Sequence, residues 1–166
     1  MIKIILKKGR DESLRRFHPW VFSGAIADIQ GNPSEGDMVA VLSSDGECLA
    51  YGHFQIGSIA VRILSFDESA LKHDYWEVML SRALQVRISA GLHGTAADDN
   101  PTNCYRLVHG EGDNLPGLII DYYDGVCVMQ AHSVGMFRAK KQIADALLAV
   151  YGDSLKAVYD KSSGTA

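Results

Sequence analysis

The chain lacks the features of a secreted or membrane-spanning protein. Its 166 residues include only three cysteines, Cys48, Cys104 and Cys127, which are far apart and odd in number. They match neither a disulfide framework nor the close spacing of zinc ligands. The amino-terminal apolar run Ile2–Leu6 is interrupted by Lys3 and is too short for a signal-peptide core or a membrane helix. These absences predict a protein of the reducing cytoplasm with no membrane partner.

Residues that could carry catalysis or bind a metal are also missing. The histidines show neither HxxxH nor HxH spacing, so the sequence predicts no metal site. They are His18, His53, His73, His93, His109 and His132. Cys104 lies five residues before His109, and on a regular strand this odd spacing turns the two side chains to opposite faces. Cys48 and Cys127 lie in apolar strand patterns and are predicted to be buried. The sequence therefore predicts neither catalytic residues nor metal ligands.

The glycine-rich segment His109–Gly112 lacks the helix that a cofactor site needs. In nucleotide and methyl-donor sites, a glycine loop delivers a helix amino terminus to a phosphate or a carboxylate. Here the next element is an apolar strand, Leu118–Ile120, and both Glu111 and Asp113 would repel a phosphate. The segment is therefore predicted to be a tight structural turn, and no cofactor is expected to bind this chain.

An excess of positive charge is absent from the whole chain but present at its amino terminus. The formal net charge is −4, whereas residues 1–24 contain six basic and two acidic residues, a local charge of +4. The six basic residues are Lys3, Lys7, Lys8, Arg10, Arg15 and Arg16. A basic stretch on an acidic protein is typical of a localised nucleic-acid contact, and a solvated charged surface has the same composition.

The first part of the chain reads mainly as short strands, which predicts a small β-barrel. The strands are Ile2–Leu6, Trp20–Phe22, Met38–Leu42, Cys48–Phe54 and Ile59–Phe66, with one helical turn at Asp11–Arg16. Asp45-Gly46 predicts a hairpin closed by a type I′ turn, in which both central residues have positive φ. At Trp20–Phe22, one or both aromatic side chains are expected in the core.

The second part combines helices with strands, which predicts an α+β domain. One helix is indicated by an apolar stripe consisting of Trp76, Met79, Leu80, Ala83, Leu84 and Ile88. It is expected to begin with a capping pair, Asp74 and Glu77, and to end at Gly91. A second stripe follows at Met136, Ala139, Ile143, Leu147 and Val150. The strands are Cys104–His109, Leu118–Tyr122, Val126–Ala131 and Leu155–Tyr159, and Gly94–Thr102 is predicted to be a mobile loop.

These patterns predict an α+β fold with two domains. A small barrel occupies residues 1–68, a linker 69–73, an α+β middle domain 74–161 and a tail 162–166. The division follows the change from turn-rich strands to helix-and-hairpin patterning, with polar residues between.

Five motifs resemble the amino-terminal part of a bacterial family of S-adenosylmethionine-dependent methyltransferases that modify cytosine C5 of 23S ribosomal RNA. They are Lys8-Gly9, His18–Phe22, Gly36-Asp37, Arg106–Val108 and Leu115–Leu118. The resemblance implies a PUA domain, which is a small RNA-binding barrel, followed by a linker domain. It also implies that the catalytic domain, with its S-adenosylmethionine site, is absent after residue 166. A fragment and a natural truncation both fit this pattern.

The resemblance and the basic charge together predict the ribosomal RNA contacts. The predicted RNA-binding residues are Lys7, Lys8, Arg10, Arg15, Arg16, His18, Trp20, Ser23 and Gly24. Lysine and arginine neutralise phosphates, and His18 and Trp20 offer rings for stacking on an exposed base. The chain is thus predicted to be the RNA-recognition part of a methyltransferase, inactive alone. The alternative is a stand-alone adaptor that binds a protein partner, and a homodimer is compatible with either.

Overall fold

The computed structural model describes residues 1–93, 102–162 and 164, so the predicted loop Gly94–Thr102 lies outside the described residues except for Thr102. The chain forms two compact units. The first unit comprises Met1–Lys72 with Ser133–Gly135, and the second unit comprises His73–His132 with Met136–Ala166. The predicted α+β fold class is confirmed. Among the described residues, no helix is long and apolar enough to cross a membrane.

The first unit is a six-stranded sheet that curls into a half-barrel. Its elements are β1 (Ile2–Leu6), α1 (Glu12–Arg15), β2 (Trp20–Phe22), β3 (Ile26–Gln30), β4 (Met38–Leu42), β5 (Cys48–Phe54) and β6 (Ile59–Ser65). The strand order is β2-β6-β5-β4-β1-β3, in which only β1 and β4 pair in parallel. The core includes Ile4, Leu6, Val39, Val41 and Val61. Because β2 and β3 remain edge strands, the sheet is open where full closure was expected.

The strand that the sequence pattern missed is β3. It pairs only with β1, in antiparallel register from Lys3↔Gln30 to Leu6↔Ile26. Four of its five residues are exposed, so the sequence has no apolar alternation to reveal it. The backbone hydrogen bonds to β1, rather than side-chain burial, define this strand.

The β4–β5 hairpin does not use the predicted type I′ turn. Ser43 N–H donates to Glu47 O at 2.8 Å and Gly46 N–H to Ser43 O at 3.1 Å, which leaves a three-residue loop. Gly46 has a φ of +86°, whereas Asp45 is not among the residues with positive φ. This is a type I turn followed by a left-handed residue, the geometry usual for three-residue hairpins. The hairpin was predicted correctly, and its turn type was wrong.

The second unit is a four-stranded sheet with two long helices. Its elements are α2 (Tyr75–Ser89), β7 (Cys104–His109), β8 (Leu118–Tyr123), β9 (Val126–Ala131), α3 (Val134–Tyr151) and β10 (Ala157–Asp160). The order is β10-β9-β8-β7, and β10 pairs with β9 in parallel. The rings of Tyr105, Tyr122 and Tyr151 stack with successive centroid distances of 5.0 Å. The Tyr105 and Tyr151 hydroxyl groups hydrogen-bond at 2.8 Å, which ties β7 to the end of α3.

The ends of α2 follow the sequence signals only in part. Asp74 is the residue before the helix, but its side chain makes no capping hydrogen bond. Gly91, at φ +71°, ends the helix as predicted: its N–H donates to Ile88 O and the Leu92 N–H to Arg87 O. This pair of hydrogen bonds is the Schellman motif, which favours glycine at this position.

The β8–β9 hairpin has the turn that the sequence predicted. Asp124 and Gly125 have φ values of +44° and +91°, and Tyr123 pairs with Val126 on either side of them. Two central residues with positive φ define the two-residue type I′ loop. Aspartate-glycine therefore predicted the turn type correctly here, although the same dipeptide in the first unit did not.

Candidate nucleic-acid interface

Lys7, Ser23 and Gly24 lie next to one another. The Lys7 ammonium donates to the carbonyl oxygen of Gly24 at 2.9 Å, and the Lys7 N–H donates to Ala25 O at 2.9 Å. These bonds hold the loop after β1 against the short 3₁₀ turn at Ser23–Ala25 that follows β2. Residues that are sixteen and seventeen positions apart in the sequence are thereby brought to one exposed surface.

Arg15 is held in two ion pairs within the first unit. Its Nε lies 2.7 Å from Asp11 Oδ2, and its Nη2 lies 2.6 Å from Glu47 Oε2. The hydrogen bond from Arg15 lowers the pKa of the Glu47 and Asp11 carboxyl groups, and the two carboxylates raise the pKa of Arg15. Two carboxylates therefore balance this guanidinium, so it is poorly placed to neutralise a phosphate.

Lys8, Arg10 and Arg16 are the cations of this surface that remain available. All three side chains are exposed and form no ion pair within the described part of the chain. Arg10 and Arg16 line a shallow cavity of about 290 Å³ together with Gly9, Glu12 and Ser13. We call the surface formed by Lys8, Arg10 and Arg16 the basic notch. Its two guanidinium groups can contact phosphate oxygens bidentately, which Lys8 cannot do.

The aromatic side chains of β2 point away from the core. Val21 is the buried residue of this strand, Trp20 is half-buried and Phe22 is 49% exposed. The expectation that one or both aromatics are core residues is therefore wrong, because the strand alternation places Val21 inside. The rings of His18, Trp20 and Phe22 form a triangle, with centroid distances of 5.6, 6.2 and 6.3 Å. The Trp20 N–H donates to His18 Nδ1 at 3.2 Å, which fixes the imidazole beside the indole.

Sequence reasoning missed two exposed aromatic residues of the segment Phe17–Phe22. Phe22 is the third member of the triangle, and Phe17, which follows Arg16, is 72% exposed. The period-two spacing of His18, Trp20 and Phe22 was the signal for Phe22, because alternate residues of a strand share a face. Nothing in the sequence indicated that Phe17 would be exposed.

The glycine-rich segment of the second unit is a structural turn, as predicted. Gly110–Asp113 form a 3₁₀ turn, and Asn114 after it has a φ of +57°. The Asp113 carboxylate accepts hydrogen bonds from the Arg87 guanidinium at 2.5 and 2.8 Å and from the His109 N–H at 2.6 Å. The acidic residue of the turn is therefore used to bind α2, and its carboxylate faces an arginine of the same chain.

The cysteine predictions are partly wrong. Cys127 is fully buried, and burial raises the pKa of its thiol to about 12, so it carries no reactive thiolate. Cys48 is exposed, because the register shift at Val41/Leu42 places it at the irregular end of the hairpin.

Within the described residues, no three histidine, cysteine or acidic side chains are grouped to hold a metal ion.

The prediction that Cys104 and His109 face opposite sides of β7 is also wrong. Strand β7 has a register shift between Arg106 and Val108, so Leu107 and Val108 are both buried. The extra residue restores Cys104 and His109 to the same exposed side of the strand. The regular alternation that the prediction assumed is broken at this bulge.

Comparison with known proteins agrees with the curled sheet of the first unit. Residues 4–66 match the profile of a family described as the PUA-like domain. This segment has a PUA-like fold. The basic notch and the aromatic triangle both lie on the PUA-like domain, and Arg16, His18 and Phe22 all fall within its matched residues.

The PUA-like domain and the unit that follows it are together similar to ribosomal RNA large subunit methyltransferase I. The chain is 37% identical to that of Pseudoalteromonas translucida over 161 residues and 34% identical to that of Escherichia coli over 163 residues. These matches cover 96% and 97% of this chain but only 39% of each relative. The chain therefore spans about two fifths of the length of the curated relatives that it matches.

A solved structure shares the fold of the PUA-like domain and of the second unit. It is a candidate S-adenosylmethionine-dependent methyltransferase from Streptococcus mutans, with a TM-score of 0.75 and 17% sequence identity. The match covers 97% of this chain and 41% of the other. A second candidate methyltransferase, solved with S-adenosylhomocysteine, matches with a TM-score of 0.74.

Proposed function

We propose that this chain is the RNA-recognition portion of an S-adenosylmethionine-dependent methyltransferase that modifies cytosine C5 of 23S ribosomal RNA. The observation that carries the proposal is the basic notch on a PUA-like domain of an otherwise acidic chain. The similarity of nearly the whole chain to ribosomal RNA large subunit methyltransferases supports this substrate. In this proposal, methyl transfer belongs to a catalytic domain beyond these 166 residues.

The proposed RNA contacts divide into three kinds. Lys8, Arg10 and Arg16 neutralise phosphates, because they are exposed cations without ion-pair partners in the described part. Lys7 positions Ser23 and Gly24, whose exposed backbone can approach RNA closely. His18 and Trp20 supply rings for stacking, and these rings contact each other at a centroid distance of 5.6 Å. We assign Arg15 a structural role instead, since Asp11 and Glu47 already bind it.

The second unit is proposed to hold the RNA-binding domain at a fixed position relative to the catalytic domain. Such a role requires a rigid body. Three contacts join separate elements of this unit. They are the ring stack of Tyr105, Tyr122 and Tyr151, the Arg87–Asp113 ion pair, and the hydrogen bond from Trp76 Nε1 to Gln142 Oε1 at 3.0 Å.

We place the protein in a reducing compartment, since the two exposed cysteines, Cys48 and Cys104, are both unpaired.

Removing the basic notch is expected to reduce the salt dependence of RNA binding. For the double substitution Arg10→Ala with Arg16→Ala, the slope of log affinity against log salt concentration should become shallower by about two, because each lost phosphate contact contributes about one. The measurement is a filter-binding titration with a fragment of large-subunit ribosomal RNA at several salt concentrations.

Arg15→Ala is the matched control for this experiment. It removes one positive charge from the same helical turn, but that charge is already balanced, so the salt slope should change by well under one. If the double variant keeps the slope and affinity of the unchanged protein, the RNA site lies elsewhere. If the unchanged protein binds no RNA at all, the adaptor function is favoured instead.

The isolated chain is expected to bind no S-adenosylmethionine. A donor site needs a strand, a glycine loop and a helix in that order, and the Gly110–Asp113 turn leads into strand β8. Isothermal titration calorimetry of the purified chain with S-adenosylmethionine should therefore show no stoichiometric binding. A one-to-one binding isotherm would contradict both this expectation and the assignment of catalysis to a separate domain.

A further inference from the structure

Phe17 occupies a backbone position that favours glycine. Helix α1 ends in a Schellman motif, in which the Phe17 N–H donates to Leu14 O at 2.8 Å and the His18 N–H to Ser13 O at 2.9 Å. This motif places Phe17 in the left-handed region, with a φ of +61°. A bulky side chain is disfavoured there, because its β-carbon crowds the following carbonyl group.

The side chain of Phe17 contributes little to the stability of the fold. Its ring is 72% exposed and packs edge-on against Phe66, with a centroid distance of 5.1 Å. Backbone strain and an exposed aromatic ring both favour glycine or asparagine at this position. Such an outlier points to a function outside the fold of the chain itself.

Two further aromatic residues are exposed close by in the sequence. His18 follows Phe17 directly, and Phe22 is 49% exposed on the outer side of edge strand β2. Both rings stand nearly perpendicular to that of half-buried Trp20, at 79° and 89°, so the indole supports them from one side. We call the three exposed rings of Phe17, His18 and Phe22 the aromatic surface; the rings of His18 and Phe22 lie 6.3 Å apart, and Phe17 directly precedes His18 in the chain.

The aromatic surface follows the basic notch in the chain, since Arg16 directly precedes Phe17. Exposed rings beside unpaired guanidinium groups match the chemistry of a nucleic-acid strand with unstacked bases: phosphates contact the cations and base faces stack on the rings. A continuous RNA duplex hides its base faces within the helix, so it can use the cations but not the rings.

We infer that Phe17 and Phe22, together with His18, stack on unpaired bases, so that this surface takes bulged or single-stranded RNA in preference to a continuous duplex. The inference rests on the proposed RNA-binding function and adds the class of RNA. It also gives Phe17 a role that explains why a phenylalanine is tolerated where glycine fits better.

Two RNA hairpins of equal length, closed by the same structured tetraloop whose bases are stacked, test the inference: one has a fully paired stem and the other has a three-nucleotide bulge in the stem. The unchanged protein should bind the bulged hairpin more tightly. Phe17→Gly and Phe22→Ala should each weaken binding to the bulged hairpin by about fivefold to a hundredfold, the usual effect of one lost base–aromatic stack. Binding to the paired hairpin should stay the same. Ile56→Ala is the control, since Ile56 is 73% exposed in the same unit but lies in the β5–β6 loop.

Thermal melting separates a contact role from a structural one. Phe17→Gly should melt no earlier than the unchanged protein, because glycine suits the left-handed position. If the unchanged protein binds neither hairpin, the proposed function itself fails. If it binds both hairpins equally and the two variants keep its affinities, the RNA-binding function stands and the inference is overturned. If the Phe17→Gly variant has a lower melting temperature than the unchanged protein, the inference is tested by Phe22→Ala alone. In that case, an unchanged affinity of the Phe22→Ala variant for the bulged hairpin overturns the inference.

Discussion

Asp113→Ala is expected to destabilise the second unit by about 3–5 kcal/mol, the cost typical of breaking a buried ion pair. The side chains of Asp113 and Arg87 are only 7% and 12% exposed. Removing the carboxylate leaves the Arg87 guanidinium buried without a counter-charge. Loss of the Arg87 hydrogen bonds detaches the turn Gly110–Asp113 from helix α2, and the His109 N–H of β7 loses its acceptor as well.

The free energy of unfolding can be followed by urea titration in a Trp20→Phe background, where Trp76 of the second unit is the remaining tryptophan. Asp145→Ala is the matched control: Asp145 pairs with Lys141 at 2.6 Å, but both side chains are well exposed. Such a surface pair contributes about 0–1 kcal/mol, so the control should change little.

A second variant shows whether the unpaired charge is the cause. Replacing both partners, with Arg87→Met and Asp113→Leu, removes the ions together and should recover much of the lost stability. If Asp113→Ala cost no more than Asp145→Ala, the ion pair would not hold the turn, and the rigid-body role of the second unit would lose its main support.

Gly52→Ala is expected to destabilise the PUA-like domain by more than about 4 kcal/mol, a cost outside the usual range for one substitution. Gly52 is buried in β5, and an added β-carbon would lie 2.1 Å from the carbonyl oxygen of Arg62 and 2.9 Å from the Cα of Ile63. Both atoms belong to the backbone of β6. A neighbouring strand cannot rotate aside as a side chain can, so the β5–β6 ladder itself must open.

Gly24→Ala provides the comparison within the same domain. Nothing lies within 4 Å of a β-carbon at Gly24, and its φ is outside the left-handed region. The unfolding midpoint should therefore stay close to that of the unchanged protein, whereas Gly52→Ala should unfold much earlier or fail to accumulate in soluble form. Equal midpoints for the two variants would mean that the β5–β6 backbones are farther apart than this structure places them.

The sequence predicted most of the elements because their signals are local. Strands β1, β2, β4, β5, β7 and β9 have the predicted bounds, and both long helices form where their apolar stripes predicted them, although Ile88 at the end of the first stripe is 41% exposed. A turn with two positive φ values was readable from Asp124-Gly125, and the Schellman end of α2 from Gly91. In each case the side chains or glycines of the element itself set its conformation, so no distant contact was needed.

Features that depend on a partner strand were decided only by the tertiary structure. Strand β3 exists because β1 supplies its hydrogen bonds, and the bulge at Leu107 appears only in the pairing of β7 with β8. This bulge reversed the expected facing of Cys104 and His109. The steric demand on Gly52 likewise comes from the approach of β6 and has no signature in the sequence.

The sequence by itself determined that a basic amino-terminal segment belongs to a chain with a PUA-like pattern. It could not rank the basic residues, because Arg15 and Arg16 are adjacent and chemically identical. The tertiary structure separated them: folding brings Glu47, thirty-two positions away, onto Arg15 and leaves Arg16 beside Arg10. It also turned Val21 inward and Phe22 outward. Long-range pairing of charges and the choice of a core face are properties of the assembled fold, and they decide which of the candidate residues keep an unpaired charge or an exposed ring.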